Sequence, residues 1–220
     1  MMARGSFPWI LGIFLFTLGA WIAFRNVPGR SPMSLFFLFL FTIGVVLSLF
    51  FIIFFRDPER TPSGDEDDIV SPADGKVISI NQRTACIFMN IHNVHVNRAP
   101  LSGMVTHIDY RPGGYIPAFN KDSEVNERNH VVFNTAYGTL ELTQIAGVLT
   151  RRIVSYISEG VHVKRGERIG MIRFGSRVDV TIPQGYVFTI GLNDKVIAAR
   201  TIIARKQDKI GIIRKYKNGK

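Results

Sequence analysis

The sequence predicts a mostly β domain carried behind a pair of membrane-spanning helices. Three observations predict it. Residues 1–54 contain no Asp or Glu and hold two long apolar runs. At Phe55 the composition turns abruptly polar. From Ile69 onward, short Val- and Ile-rich runs alternate with Gly, Pro and Asn turns, and no segment after residue 60 has a long helical period.

The first apolar run is Phe7–Phe24 and the second Met33–Phe55. A membrane-spanning helix needs about 20 apolar residues, and both runs qualify, the first only just. "RNVPGRSP" between them carries turn signals, so residues 1–55 read as a membrane hairpin with helices at about 7–24 and 33–55. No small-residue cleavage site follows the first run cleanly, which argues against a signal peptide. Neither run has a polar face, which argues against a soluble helical pair. A two-pass hairpin returns the chain to the side on which it started. The flanking basic residues Arg4, Arg25, Arg30, Arg56 and Arg60 barely discriminate which side that is.

"RDPERTPSGDEDD" (56–68) is polar, acidic and proline-bearing, and reads as a linker. Residues 69–220 then form a sandwich or barrel-like domain. In "YGTLELTQ", Leu140 and Leu142 alternate with Glu141 and Thr143 at strand period. "RPGGYIPAFNKDSEVNERN" (111–129) is the one long irregular stretch, and such stretches are usually functional or disordered. Its aromatics Tyr115 and Phe119 argue against simple disorder. "GVHVKRGERIGMIRFGSRVDVTIPQG" with "GLNDKVIAARTIIA" is similar to half of a biotinyl- or lipoyl-type β domain, a barrel-sandwich feature. Lys195 would then be a modifiable lysine, although "NDKV" reads more simply as a plain exposed turn.

The formal net charge is +10. Basic balance suits nucleic acid, anionic lipid or acidic substrates. No RNA-binding motif or Gly-rich phosphate loop supports the first, and on a protein with a membrane hairpin the basic tail 204–220 suits an anionic lipid surface better, with a merely solvated end as the open alternative. The single cysteine, Cys86, excludes an intrachain disulfide and sits in a strand-like run as a core residue.

Three segments could carry chemistry. "SPADGKV" presents Asp74 in a turn framed by Pro and Gly, an ordinary turn pair taken alone. "NIHNVHVNRAP" carries His92 and His95. Zinc needs three or four ligands, and no Cys, HExxH or carboxylate cluster accompanies them, so no metal is expected. Residues three apart on an extended segment face opposite sides, so a bend is needed if both are to serve one site. "FGSRVD" supplies Ser176 without a G-x-S-x-G elbow, which disfavours a lipase-type hydrolase. A Ser, a His and an Asp are nevertheless all present.

Taken together, "FFRDPERTP", "SPADGKV", "IHNVHVNRAPLSGMV", "NER" and "FGSRVDV", in this order behind a hydrophobic hairpin, resemble the phosphatidylserine decarboxylase proenzyme family in its short bacterial and archaeal form. Archaeal members act on ether lipids as archaetidylserine decarboxylases. The resemblance implies self-cleavage between Gly175 and Ser176 into a β chain, 1–175, and an α chain, 176–220. Ser176 would become a covalent pyruvoyl cofactor. His95 would remove the Ser176 hydroxyl proton, Asp74 would hold the His95 tautomer, and His92 would act in decarboxylation. Arg177 stands where larger members carry Thr, which puts local contacts there in question. The partners implied are a membrane phospholipid, the two chains of one precursor and a possible homo-oligomer. The location implied is the cell membrane, with the catalytic domain at the cytoplasmic face. Tyr115 and Phe119 are candidates for substrate contact. Two other readings remain open: a non-enzymatic membrane-anchored β adaptor, and an intact-chain serine hydrolase using Asp74, His95 and Ser176.

Overall fold

The computed structural model describes residues 1–29, 31–113, 126–147, 153–173 and 176–209. The chain divides into two compact units, Met1–Pro58 and Glu59–Lys220.

The first unit is a helical hairpin, α1 (Phe7–Asn26) and α2 (Pro32–Phe54), each with a proline in its first turn, where the missing N–H costs nothing. Ser31 caps α2 by accepting from the Ser34 amide at 3.2 Å. Gly44 lets α2 approach the Thr17 backbone of α1, and Thr17 Oγ1 lies 3.3 Å from Ser48 Oγ. Small residues at such a contact let helices associate where lipid, not water, surrounds them. Phe14 and Phe39 are each 60% exposed. A soluble helical pair would bury such side chains, whereas both helices are long and apolar enough to cross a membrane. The ends are tied by amides of Ala3 and Asp57 donating to Phe55 O and Met1 O, at 2.9 and 2.8 Å.

The second unit is β. Its strands are β1 (Ile69–Val70), β2 (Gly75–Asn81), β3 (Thr84–Met89), β4 (Val96–Arg98), β5 (Gly103–Arg111), β6 (Arg128–Thr135), β7 (Gly138–Ile145), β8 (Ile153–Ser155), β9 (His162–Val163), β10 (Arg168–Ile172), β11 (Ser176–Thr181), β12 (Tyr186–Phe188), β13 (Lys195–Val196) and β14 (Ile202–Lys206). Eight form one sheet, in the order β13-β2-β3-β11-β7-β6-β5-β9, and it curls into a half-barrel. Two three-stranded sheets, β1-β14-β12 and β4-β10-β8, complete the unit. The described strand pairs are antiparallel.

Period-2 alternation selects the inner face. Val178 and Val180 of β11, Leu140 and Leu142 of β7, and Val131 and Phe133 of β6 are fully or almost fully buried. Ile169 and Ile172 of β10, with Ile69 and Ile203 from the other small sheet, join the same core. Residues 56–68, expected as a linker, divide between the two units. Within the β unit, the Arg60 side chain and Asp68 are buried rather than solvated.

Candidate active site

Two connections carry the sequence-derived candidates, and the ladders pair the strands that flank them. The first, 90–95, joins β3 to β4 and holds both histidines. The second, 173–175, joins β10 to β11 and ends at Ser176. β3 pairs with β11, with Met89 opposite Ser176, and β4 pairs with β10, with Val96 opposite Met171. The strands entering and leaving one connection are therefore the hydrogen-bonded neighbours of those leaving and entering the other. The Ile172 amide donates to His95 O at 3.2 Å and extends this pairing to the stem of the second connection.

Residues 90–93 form a bend, and asparagines make it. The Asn90 amide donates to Asn93 Oδ1 and the Ile91 amide to Asn90 Oδ1, both at 2.8 Å, while the Asn93 amide donates to Asn90 O at 2.9 Å. Asn side chains stabilise such turns by mimicking a backbone partner. His92 is exposed on the bend and His95 is completely buried. His95 Nδ1 lies 2.9 Å from Asn93 O. A carbonyl only accepts, so Nδ1 carries the hydrogen, and in the neutral ring Nε2 is the basic nitrogen.

Asp74 is engaged differently from the expectation. Arg60 grips both its oxygens, Nη1 on Oδ1 and Nη2 on Oδ2 at 2.9 Å. The Ala198 amide donates to Oδ1 at 2.9 Å and the Val94 amide to Oδ2 at 3.4 Å. Asp74 thus reaches the histidine segment through the backbone next to His95, and the hydrogen bond that orients the ring comes from Asn93. Gly75, which follows, is required because a Cβ there would collide with Phe88 O on β3.

Ser176 opens β11 with no exposure, and its Oγ has no hydrogen-bond partner among the described residues. Arg177 points to the other face, where its guanidinium bonds Asp179 through two contacts of 2.6 Å and so stays out of the site. Gly175, Tyr115 and Phe119 lie outside the described residues. Cys86 is buried, and burial with the neighbouring Asp179 pushes its thiol up to about 12, so it is inert at neutral pH. The acidic group Asp65, Asp67 and Asp68 has the spacing of a metal site, but Lys209 Nζ sits among all three, with Lys206 on Asp67 and Arg205 on Asp68. Lys195 is exposed in β13, opposite Lys76.

A chain of buried carboxamides runs beside Ser176. Asn129 Nδ2 donates to Gln144 Oε1 at 3.0 Å, Gln144 Nε2 to Asn97 Oδ1 at 2.8 Å, and Asn97 Nδ2 reaches the Met89 sulfur at 3.6 Å. All three amides are at most 2% exposed. Gly170 of β10 makes room, since a Cβ there would lie 3.0 Å from Gln144 Nε2. Sequence reasoning passed over these residues and Arg60. A signal was available at Gln144, which occupies an inward position two residues past Leu142. Arg60 lay inside "FFRDPERTP" without a role.

A family model described as phosphatidylserine decarboxylase matches residues 47–86 and 80–204. The chain belongs to the phosphatidylserine decarboxylase family. It is 49% identical over 205 residues to a Methanosarcina mazei protein named as an archaetidylserine decarboxylase proenzyme, covering 93% of this chain and 96% of that one. A Methanosarcina acetivorans protein with the same name is 48% identical over 208 residues, with the same two shares covered. The phosphatidylserine decarboxylase proenzyme of Streptomyces avermitilis is 41% identical over 209 residues, covering 93% of each chain. Membership makes this chain a phospholipid decarboxylase, a lyase made as a proenzyme.

Proposed function

We propose that the chain cleaves itself between Gly175 and Ser176 and then decarboxylates a membrane phospholipid with a serine headgroup, giving the ethanolamine phospholipid. The observation that supports this reading is the pairing of β3 with β11 and of β4 with β10, which brings the strands flanking the His95 segment beside those flanking the Gly175–Ser176 bond. His95 Nε2 takes the Ser176 Oγ proton. The oxygen attacks the Gly175 carbonyl carbon, the peptide C–N bond breaks and an ester forms. Loss of the Ser176 α-proton then expels the Gly175 carboxylate. Water replaces the nitrogen of residue 176, and ammonia leaves. Arg60 and Asp74 hold the Val94–His95 backbone still during these steps. His92, on the exposed side of the bend, delivers the proton to the substrate carbon after carbon dioxide departs.

The buried Ser176 hydroxyl is the precursor that a pyruvoyl group requires. That group supplies a carbonyl which takes up the substrate amine and drains the electron pair left by decarboxylation, the task pyridoxal phosphate performs in other enzymes. The residues around it exclude water: Met89, Val178, Ala146 and Ile172 are each at most 2% exposed. After cleavage β11 remains hydrogen-bonded on both sides, to β3 and β7, and β14 to β1, so the two fragments stay together. Both hairpin helices cross the membrane, and the β unit works at the cytoplasmic face, where serine headgroups are attached.

Intact mass of the purified protein in detergent tests the reading. Two co-purifying fragments are expected, the smaller beginning at residue 176 with a pyruvoyl group, and Ser176→Ala stays whole. A single uncut wild-type chain overturns it. Phosphatidylserine and archaetidylserine, supplied in parallel, then separate ester from ether lipid as the substrate.

A further inference from the structure

Glu127 is a buried carboxylate that the steps above leave unused. It is 1% exposed. Its Oε1 accepts from the Tyr110 hydroxyl at 2.8 Å and from the Ile153 amide at 3.1 Å. Its Oε2 is also buried and has no hydrogen-bond partner among the described residues. An uncompensated buried carboxylate oxygen is costly, so its retention calls for a ligand.

Register places it relative to Ser176. Arg177 lies opposite Ile145, and Ile145 opposite Arg128. One residue further along, Ser176 and Glu127 flank Ala146, whose amide donates to Glu127 O at 2.9 Å. Residues side by side in a sheet project to the same face, here the inner one, which also carries Asn129 and Gln144. Two strand spacings separate the Cα atoms of Ser176 and Glu127 by about 10 Å. The residue between them has only a methyl group. Ser176 and Glu127 thus stand on either side of the Ala146 methyl on the inner face. Tyr110, Asn129 and Ile153 also line an open cleft of about 630 Å³. Two of these three donate to Glu127, so the carboxylate lies directly behind the wall of the cleft.

We propose that Glu127 is the binding residue for a primary ammonium group, that of the substrate's serine headgroup, and holds it over Ala146 beside the group formed from Ser176. The inference rests on the proposed decarboxylase reading. A carboxylate already fixed by two donors on Oε1 offers Oε2 to a cation without reorganising, and the charge-assisted contact offsets its burial.

The test uses the full-length Ser176→Ala chain in detergent, which needs no cofactor, and two soluble probes: glycerophosphoserine and its N-acetylated form, which lacks the ammonium. Calorimetry is expected to show the amine-bearing probe binding at least tenfold more tightly. Glu127→Gln in the same background weakens that probe about 10- to 100-fold, the scale of a hydrogen bond to a charged group, and leaves the acetylated one unchanged. Tyr110→Phe, which frees the carboxylate to swing, lowers the same ratio and serves if Glu127→Gln does not fold. Equal binding of the two probes, no binding of either, or an unchanged ratio in the variants overturns the proposal. Cleavage at Gly175–Ser176 is scored separately by mass on the Ser176 chain, so failure of the decarboxylase reading is read independently.

Discussion

Replacing Arg60 by glutamine tests the coupling of the ion pair to the histidine segment. The Arg60 and Asp74 side chains are 7% and 12% exposed. Arg60 supplies contacts to both Asp74 oxygens and one of 3.1 Å to Ala198 O. Removing one partner of a buried pair strands the other charge, at a cost of about 3–5 kcal/mol, a large share of the 5–15 kcal/mol typical of a domain. Arg60→Gln therefore lowers the folded-to-unfolded ratio by roughly two to four powers of ten. It also slows appearance of the 176–220 fragment, because Asp74 no longer holds the Val94 amide. The double variant Arg60→Gln, Asp74→Asn removes both charges and regains most of the lost stability. Urea unfolding in detergent gives the free energies, and a gel time course gives the cleavage rate. If Arg60→Gln costs under 1 kcal/mol, or if the double variant is no more stable than the single one, the pair is not the clasp described here.

Three further outcomes are expected. Gly75→Ala forces β2 away from Phe88 O and shifts Asp74; it destabilises by about 1–3 kcal/mol, as overpacking does, and chemical unfolding measures it. Cys86, its thiol pushed up to about 12, resists a thiol reagent at pH 8 in the folded protein and reacts fully in denaturant; fast labelling of the native chain contradicts its burial. Lys209 donates to Asp67 and holds it below its ordinary value of 3.8. That contribution is present above about pH 3.8 and is lost as pH falls through the depressed value. Hydrogen exchange at Lys206–Lys209 thus stays unchanged from pH 5 to 8, after correction for the intrinsic rate, and opens only in stronger acid; opening between pH 5 and 6 would point to another group.

Composition and order alone determine the large features. Fifty-four residues without an acid and with two long apolar runs can satisfy their backbone in lipid only as helices, and period-2 alternation after Ile69 specifies strands. The helices, expected at about 7–24 and 33–55, span Phe7–Asn26 and Pro32–Phe54. The residue types at Asp74, His92, His95 and Ser176, read together, point to a family and a chemistry. The partners of those residues are decided elsewhere in the chain. Asp74 meets Arg60 and Ala198, at sequence separations of 14 and 124. His95 takes its orientation from Asn93 because asparagine turns fold the segment back. Glu127 comes into the row of Ser176 only because β7 is inserted between β6 and β11. Local propensity reads spacing along one strand. Which strands lie side by side depends on long-range pairing, and only the folded sheet settles it.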